Sequence, residues 1–229
     1  MSLKIDLKIF LFLLLFLITS QFEIYIIVMI FAIIHELGHL LAGVILKFKV
    51  EEIKLTPMGV RLQFKIENRE YNKKVKKGNL LNVKKAIIAI AGPITNLVIL
   101  IVLIILKNIG LNFTNTYIYQ IIIYSNLLIA IFNMLPIYPM DGGRVINEIL
   151  KIMVGNKKAY KITYILSKTM LIILTAISSI AILYLENIAI VFIIMYLWCL
   201  ELQEIRKYNK RKNIEKIIEE VENGRHNMV

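Results

Sequence analysis

Long apolar stretches without charge divide the chain into blocks that are separated by basic segments. Five of them contain no Asp, Glu, Lys or Arg: 9–22, 86–106, 108–140, 169–185 and 187–200. A helix needs about 20 apolar residues to cross the hydrocarbon of a bilayer, and it suits lipid because its backbone groups bond within the segment. The pattern predicts an all-α polytopic membrane protein with about six transmembrane helices. The predicted spans are 5–21, 22–46, 86–106, 117–135, 162–184 and 187–202.

One stretch between spans two and three alternates with a period of two instead. In EEIKLTPMGVRLQFKIEN, residues 51–68, apolar and polar residues alternate on both sides of Pro57-Met58-Gly59. Alternation around a Pro/Gly break is typical of a β-hairpin. Because an isolated hairpin is only marginally stable in water, the pattern predicts a short membrane-associated β-hairpin.

The distribution of charge predicts the orientation of the spans. The formal net charge is +12, and residues 47–85 hold 12 Lys and Arg against 4 Glu. The loop after span four and the C-terminal tail are also rich in Lys and Arg. In the intervening loops, Lys107 is the only Lys or Arg residue. Lys and Arg concentrate on the cytoplasmic side of membrane proteins. We therefore expect a multi-pass protein of the cell membrane with both termini cytoplasmic. Topology and the lipid bilayer account for the basic excess, so no nucleic-acid partner is expected.

The N-terminal block resembles a secretory signal, with Lys4 and Lys8 before an apolar run, but no A-x-A-like cleavage site follows it. Residues 5–21 are therefore predicted to stay as the first span. The single cysteine, Cys199, excludes a metal site built on cysteines.

Span two carries three polar residues that are costly in hydrocarbon: His35, Glu36 and His39. Four residues apart on a helix, the two histidines lie on one face, one turn from each other. This spacing lets both imidazoles bind one metal ion, with Glu36 beside them to act on a water. Each ionisable group at mid-bilayer costs on the order of 2–3 kcal/mol. A bound divalent cation, zinc above all, offsets that cost.

A catalytic zinc takes three protein ligands and keeps one position open. Asp141 is the favoured third ligand, because spans two and four both run inward and deliver it to the leaflet of the histidines. Asp6 and Glu148 are the alternative carboxylates, and an N-cap for a helix over 144–151 is the alternative role of Asp141. Pro136 and Pro139 are expected to break the helix there, and Gly142-Gly143 to allow a sharp bend.

These motifs resemble those of a known family. HELGH in span two, with NMLPIYPMDGG at 133–143, is similar to the site-2 proteases, the intramembrane zinc metalloproteases of peptidase family M50. The stage IV sporulation protein FB branch of spore-forming bacteria is the most similar. AGPITN at 91–96 resembles a small-residue element of the same family. The resemblance covers about residues 22–145.

The resemblance implies a function and roles for particular residues. His35, His39 and Asp141 would bind one zinc ion per chain, Glu36 would be the general base, and Asn133 would lie near the scissile peptide or its oxyanion. The implied reaction is hydrolysis of a peptide bond within or next to the membrane. The implied partners are a membrane-associated protein substrate, such as a sporulation sigma-factor precursor, and inhibitory membrane proteins.

Two other classes of protein compete with this interpretation. A membrane metal transporter or carrier explains the same His/Asp site, but gives Glu36 no role. A structural zinc site normally has four protein ligands, more than this chain offers. The predicted organisation is a six-span protease domain over 1–202, with its catalytic core at about 22–145, and a cytoplasmic amphipathic tail over 203–229. The tail is too short for the nucleotide-binding domain that is common in the branch.

Overall fold

The computed structural model describes residues 2–5, 8–18, 21–56, 59–65, 75–110, 116–185 and 189–226. Most of them are helical. The helices are α1 (Lys8–Ile18), α2 (Phe22–Ile45), α3 (Val75–Asn108), α4 (Thr116–Met134), α5 (Asp141–Val154), α6 (Asn156–Leu185) and α7 (Ala189–His226). The strands are β1 (Ser2–Ile5), β2 (Lys49–Thr56) and β3 (Gly59–Lys65).

Four of these helices are long and apolar enough to cross a membrane, counted over the described residues. They are α2, the part of α3 from Asn79 to Asn108, α4, and the part of α6 from Asn156 to Ile182. The bounds of α2 and α4 agree within a residue with the predicted spans 22–46 and 117–135. The chain is therefore a helical, multi-pass membrane protein, and the count of six spans stays a prediction.

The predicted first span, 5–21, lies partly outside the described residues, which omit 6–7 and 19–20. Its described part contains Ile5, the last residue of β1, and α1, a helix of 11 residues. This span therefore stays a prediction. At the other end, α7 has 38 residues and joins the predicted sixth span to the tail without a break.

The three strands form one sheet in the order β1-β2-β3. β2 pairs antiparallel with β3, from Lys49 opposite Lys65 to Thr56 opposite Gly59, where the alternation predicts a hairpin. Residues 57–58 and 66–68 of that predicted hairpin lie outside the described residues. β1 adds a parallel strand beside β2, which the apolar pattern of residues 1–20 gave no sign of.

α3 lies at the centre of the helical bundle and contacts α2, α4 and α5. Gly38 on α2 permits the first of these contacts, since an added Cβ there would be 2.1 Å from Thr95 Oγ1 on α3. Many large apolar side chains point outward on these helices, among them Leu41 and Ile101. That surface suits lipid, while His35 and His39 of α2 contact Asn96 and Ile88 of α3.

The segment between α4 and α5, residues 135–140, is not helical, as its prolines predict. The tyrosine in it is tied to α6, because the Tyr138 backbone N–H donates to Ser167 Oγ at 2.8 Å. The two glycines that follow serve a different purpose from the sharp bend expected of them. They lie in the first turn of α5, where a Cβ on Gly142 would be 2.2 Å from the Met134 carbonyl oxygen and one on Gly143 would be 2.5 Å from the Tyr138 nitrogen. Their small size lets the segment fold directly over the start of α5.

Candidate metal centre

The two histidines of α2 face the interior of the bundle. His35 is 3% exposed and His39 is 4% exposed, although α2 is otherwise a largely apolar helix. Their ring nitrogens converge, with the two Nε2 atoms 3.2 Å apart. The spacing of four residues therefore gives the arrangement that the sequence predicts.

Asp141, at the start of α5, completes the group. Its Oδ2 atom is 3.0 Å from the Nε2 atom of His35 and 3.0 Å from that of His39. Glu148, the alternative carboxylate, instead forms an ion pair with Lys151. Within the described part of the chain, His35, His39 and Asp141 form the one group of three or more His, Cys, Asp or Glu side chains able to hold a metal ion.

The alternative role of Asp141 as an N-cap is wrong. α5 begins at Asp141 itself, its N-cap residue is Met140, and no side chain caps the helix. Asp6, the remaining alternative carboxylate, lies outside the described residues.

Two buried asparagines fix the tautomer of His35. The Asn126 side-chain N–H donates to the Ile122 carbonyl at 2.9 Å, so the Asn126 Oδ1 atom faces Asn96. The Asn96 Nδ2 atom donates to that oxygen at 2.9 Å, which turns Asn96 Oδ1 toward the Nδ1 atom of His35, 2.6 Å away. Since an amide oxygen can only accept, the Nδ1 atom of His35 carries the proton. The lone pair of its Nε2 atom therefore points at Asp141 and His39.

His39 is fixed in the same tautomer by the backbone of α3. Its Nδ1 atom is 2.7 Å from the Ile88 carbonyl oxygen, which can only accept, and this contact is shorter than the 3.3 Å between the same atom and the Gly92 backbone nitrogen. Gly92, one turn further along α3, leaves room for the converging nitrogens. A Cβ at that position would be 2.4 Å from the Nε2 atom of His39 and 2.6 Å from that of His35.

These features fit a zinc ion. Nitrogen and oxygen ligands 2.0–2.1 Å from a tetrahedral zinc lie about 3.3 Å from one another, close to the 3.0 and 3.2 Å separations found here. A zinc ligand must be an ionised carboxylate, and the Arg144 guanidinium near the other oxygen of Asp141 favours that form. Two lone pairs and a carboxylate facing each other would repel without a cation between them.

Glu36 lies beside this group, half-buried, on the wall of a cavity of about 250 Å³. His39 and Arg144 line the same cavity. Two aromatic rings, Phe48 and Phe64, also line it and meet edge to face with centroids 6.1 Å apart. The cavity therefore joins the candidate metal centre to β3, the strand that carries Phe64.

Asn133 is held by a hydrogen bond within its own helix. It is half-buried near the end of α4, and its side-chain N–H donates to the Ile129 carbonyl at 3.0 Å. The described residues that line the cavity do not include it. Its position supplies no contact with the converging histidines.

Three residues of the site were not predicted from the sequence. Asn96 and Gly92 belong to the AGPITN element at 91–96, which indicates the family but not the contacts of these two residues. Asn126 gave a weaker signal, as a carboxamide within an apolar span. An uncharged polar residue in such a span is informative, because a buried amide needs hydrogen-bond partners.

Comparisons with known proteins agree with this geometry. The sequence model of peptidase family M50 matches residues 23–115 and 106–177. The chain is 31% identical over 153 residues to zinc metalloprotease MJ0392 of Methanocaldococcus jannaschii, an alignment that covers 66% of this chain and 41% of that protein. It is 24% identical over 146 residues to stage IV sporulation protein FB of Bacillus subtilis, covering 64% of this chain and 46% of that protein.

The fold is also similar to that of a solved protease. The site-2 protease from Methanocaldococcus jannaschii superposes with a TM-score of 0.64 at 26% identity, over 88% of this chain and 89% of that chain. The chain spans less than half the length of the two curated relatives it matches. The family match covers well over half of the chain and includes both histidines and Asp141. The chain belongs to peptidase family M50.

Proposed function

We propose that this protein is an intramembrane zinc metalloendopeptidase, which hydrolyses a peptide bond within or next to the membrane. The observation that carries the proposal is the convergence of His35, His39 and Asp141 beside Glu36 on the wall of one cavity. In the proposed roles, the two histidines and Asp141 hold one zinc ion. When bound, zinc supplies Lewis acidity, which polarises a carbonyl oxygen and makes water more acidic.

Glu36 is the proposed general base. It takes a proton from water as the water oxygen bonds to the carbonyl carbon and the carbonyl π pair moves onto the oxygen. It then returns the proton to the peptide nitrogen as the C–N bond breaks. Its place on α2, directly after His35 and beside the cavity, supports this role. Asn133 remains a proposed polar group near the scissile peptide, reached after a change of rotamer.

The substrate is proposed to be a membrane-associated protein that binds in an extended form. A helical substrate hides its carbonyl groups in hydrogen bonds, so it must unwind locally before attack. β3 is an edge strand of the sheet, and its Phe64 ring lies on the cavity wall, so an unwound segment can pair with this edge and reach Glu36. In this proposal the β2–β3 hairpin rests at the membrane boundary.

Proline substitutions along Gly59–Lys65 test the role of β3, because proline removes a backbone donor. Positions where the N–H points away from β2 should lose cleavage while keeping their zinc. Full cleavage by every proline variant would reject strand addition.

The proposed topology places both termini in the cytoplasm and uses six spans, with 203–229 as a cytoplasmic tail and a catalytic core at about 22–145. The proposed class of process is regulated intramembrane proteolysis. The Bacillus subtilis relative is named as a sporulation protein. Together with the motif resemblance to its branch, this makes a sporulation sigma-factor precursor the first proposed substrate and inhibitory membrane proteins the first proposed partners. Co-expression of such a precursor with this protein, followed by a mobility shift on a gel, tests that substrate.

The decisive experiment compares the wild type with Glu36→Gln, purified in detergent. A protease should keep one zinc per chain in the variant and lose cleavage of a transmembrane reporter peptide by at least about 10³-fold, since the base is gone. A metal carrier would keep zinc transport in vesicles and show no cleavage by the wild type. That second outcome would overturn the proposed function.

A further inference from the structure

Arg144 lies where the candidate metal centre opens into the cavity. It is three residues after Asp141 on α5, so both side chains lie on the same face of that helix, one turn apart. Its Nη1 atom is 3.5 Å from Asp141 Oδ1, while Asp141 Oδ2 faces the two histidines. One carboxylate group therefore separates the guanidinium from the converging nitrogens.

The guanidinium of Arg144 is largely uncommitted. Its contact with Asp141 is at the limit of a hydrogen bond, and among the described residues its side chain has no other hydrogen bond or ion pair. An arginine has five N–H donors, so most of them are free. The side chain is 37% exposed and lines the cavity beside Glu36, which leaves it both room and freedom to turn toward a bound peptide.

Lys85 and Tyr138 line the same cavity and also carry hydrogen-bond donors. Within the described part of the chain, Arg144 is the one of these three side chains that contacts Asp141, the residue that faces both histidines. Arg144 therefore combines a fixed charge, free donors and a position next to the candidate ligands. A preorganised donor aimed at developing negative charge is among the largest contributions to catalysis.

We propose that Arg144 is a further catalytic residue, which donates an N–H to the carbonyl oxygen of the scissile peptide. As water adds to the carbonyl carbon and its proton goes to Glu36, the carbonyl π pair moves onto that oxygen. The charge forms within reach of the guanidinium, which is already positive and does not transfer a proton. The proposal rests on the proposed protease function and names the donor for its oxyanion.

The test measures cleavage of fluorescently labelled casein, whose extended chain needs no unwinding, by the purified full-length protein. Arg144→Met should lower kcat by about 10²–10³-fold, the loss found for single oxyanion donors, with KM within about threefold of the wild type. Arg144→Lys should recover part of that loss. Added guanidinium should raise the rate of Arg144→Ala, whereas the same concentration of ammonium should not.

Zinc affinity separates catalysis from positioning. If Arg144 only orients Asp141, the variants should lose zinc in competition with a chelator in proportion to their lost activity. The proposal expects zinc affinity to stay within about threefold of the wild type. Arg206→Met makes the same change at an exposed position of α7 and serves as the matched control.

Three results would overturn the role of Arg144. The first is an activity of Arg144→Met equal to that of the Arg206→Met control. The second is a loss of activity in proportion to the loss of zinc affinity. The third is a change confined to KM, with kcat equal to that of the wild type. A different result would reject the proposed protease function, and the role of Arg144 with it. That result is a wild-type protein that cleaves casein no faster than the Glu36→Gln variant.

Discussion

Asp141 and Glu201 are both deeply buried carboxylates, 4% and 2% exposed, but they are supported differently. Asp141 has His35 and His39 against one oxygen and Arg144 near the other. Glu201 lies between α6 and α7 beside a cavity of about 60 Å³ lined by four tyrosines, and its Oε2 atom has no hydrogen-bond partner among the described residues.

The two carboxylates differ in whether the polar groups around them form a connected set of hydrogen bonds. Around Asp141, buried donors and acceptors form a chain that runs through His35, Asn96 and Asn126 to a backbone carbonyl. Such a chain holds each group in one orientation. Beside Glu201, by contrast, Lys207 pairs with Glu204, and the Oε2 atom of Glu201 has no hydrogen-bond partner within the described ranges. Burial of a carboxylate therefore identifies a functional site here only when its partners are considered too.

The largest expected effect comes from Asp141→Asn. The amide keeps the shape of the side chain but removes the negative charge opposite the two imidazoles, and a neutral amide is a poor zinc ligand. We expect zinc affinity to fall at least about 100-fold, with loss of cleavage, measured by metal analysis and chelator competition. Stoichiometric zinc in this variant would contradict the role of Asp141 as a ligand.

Gly92→Ala tests the space between the histidines. The new methyl would lie 2.4–2.6 Å from the two Nε2 atoms, so the imidazoles must separate and we expect most of the zinc to be lost. Gly38→Ala is the control, because it adds a methyl to the same α2–α3 contact, against Thr95. It should lower thermal stability and keep zinc. Equal zinc loss in both variants would mean that helix packing, rather than the metal site, is what Gly92 protects.

Asn96→Ala should have an intermediate effect. It removes the acceptor that orients His35 while leaving all three candidate ligands in place, a change that typically costs 10–100-fold in metal affinity. Asn126→Ala, one hydrogen bond further away, should cost less. Chelator competition measures the zinc affinity of both variants. An Asn126→Ala variant that loses as much affinity as Asn96→Ala, or more, would contradict the proposal that hydrogen bonds from Asn126 through Asn96 orient His35.

The smallest effect is expected from Glu201→Gln, the same chemical change as Asp141→Asn at the other carboxylate. No described partner of the Oε2 atom loses a hydrogen bond, so zinc content and cleavage should match the wild type. The single tryptophan, Trp198, lies on the same helix and donates to Thr175 on α6, so its fluorescence can follow thermal unfolding. The unfolding midpoint should be unchanged or higher. A loss of cleavage would show that the α6–α7 contact serves the active site.

Local sequence patterns predicted the features that are set by residues close together in the chain. The uncharged run gave α2 its bounds, the spacing of His35 and His39 gave their shared face, and the prolines gave the break at 135–140. The choice of Asp141 came from topology, because charge distribution assigned spans two and four the same direction. The structure places this residue against both histidines.

The sequence could not give contacts made across space. β1 pairs with a strand that begins more than 40 residues later, and no local pattern in residues 1–20 indicates that pairing. The tautomers of the histidines depend on Asn96, Asn126 and a backbone carbonyl, which only packing brings together.

The sequence by itself determined that this is a helical membrane protein with two histidines and a glutamate on one buried turn, because hydrophobic periodicity and helical spacing are properties of nearby residues. Only the tertiary structure decided how closely Asp141 approaches them, why Gly92 must be small, and that Arg144 lies between Asp141 and the cavity. Those features depend on distances between α2, α3 and α5, and such distances are fixed by how whole helices pack.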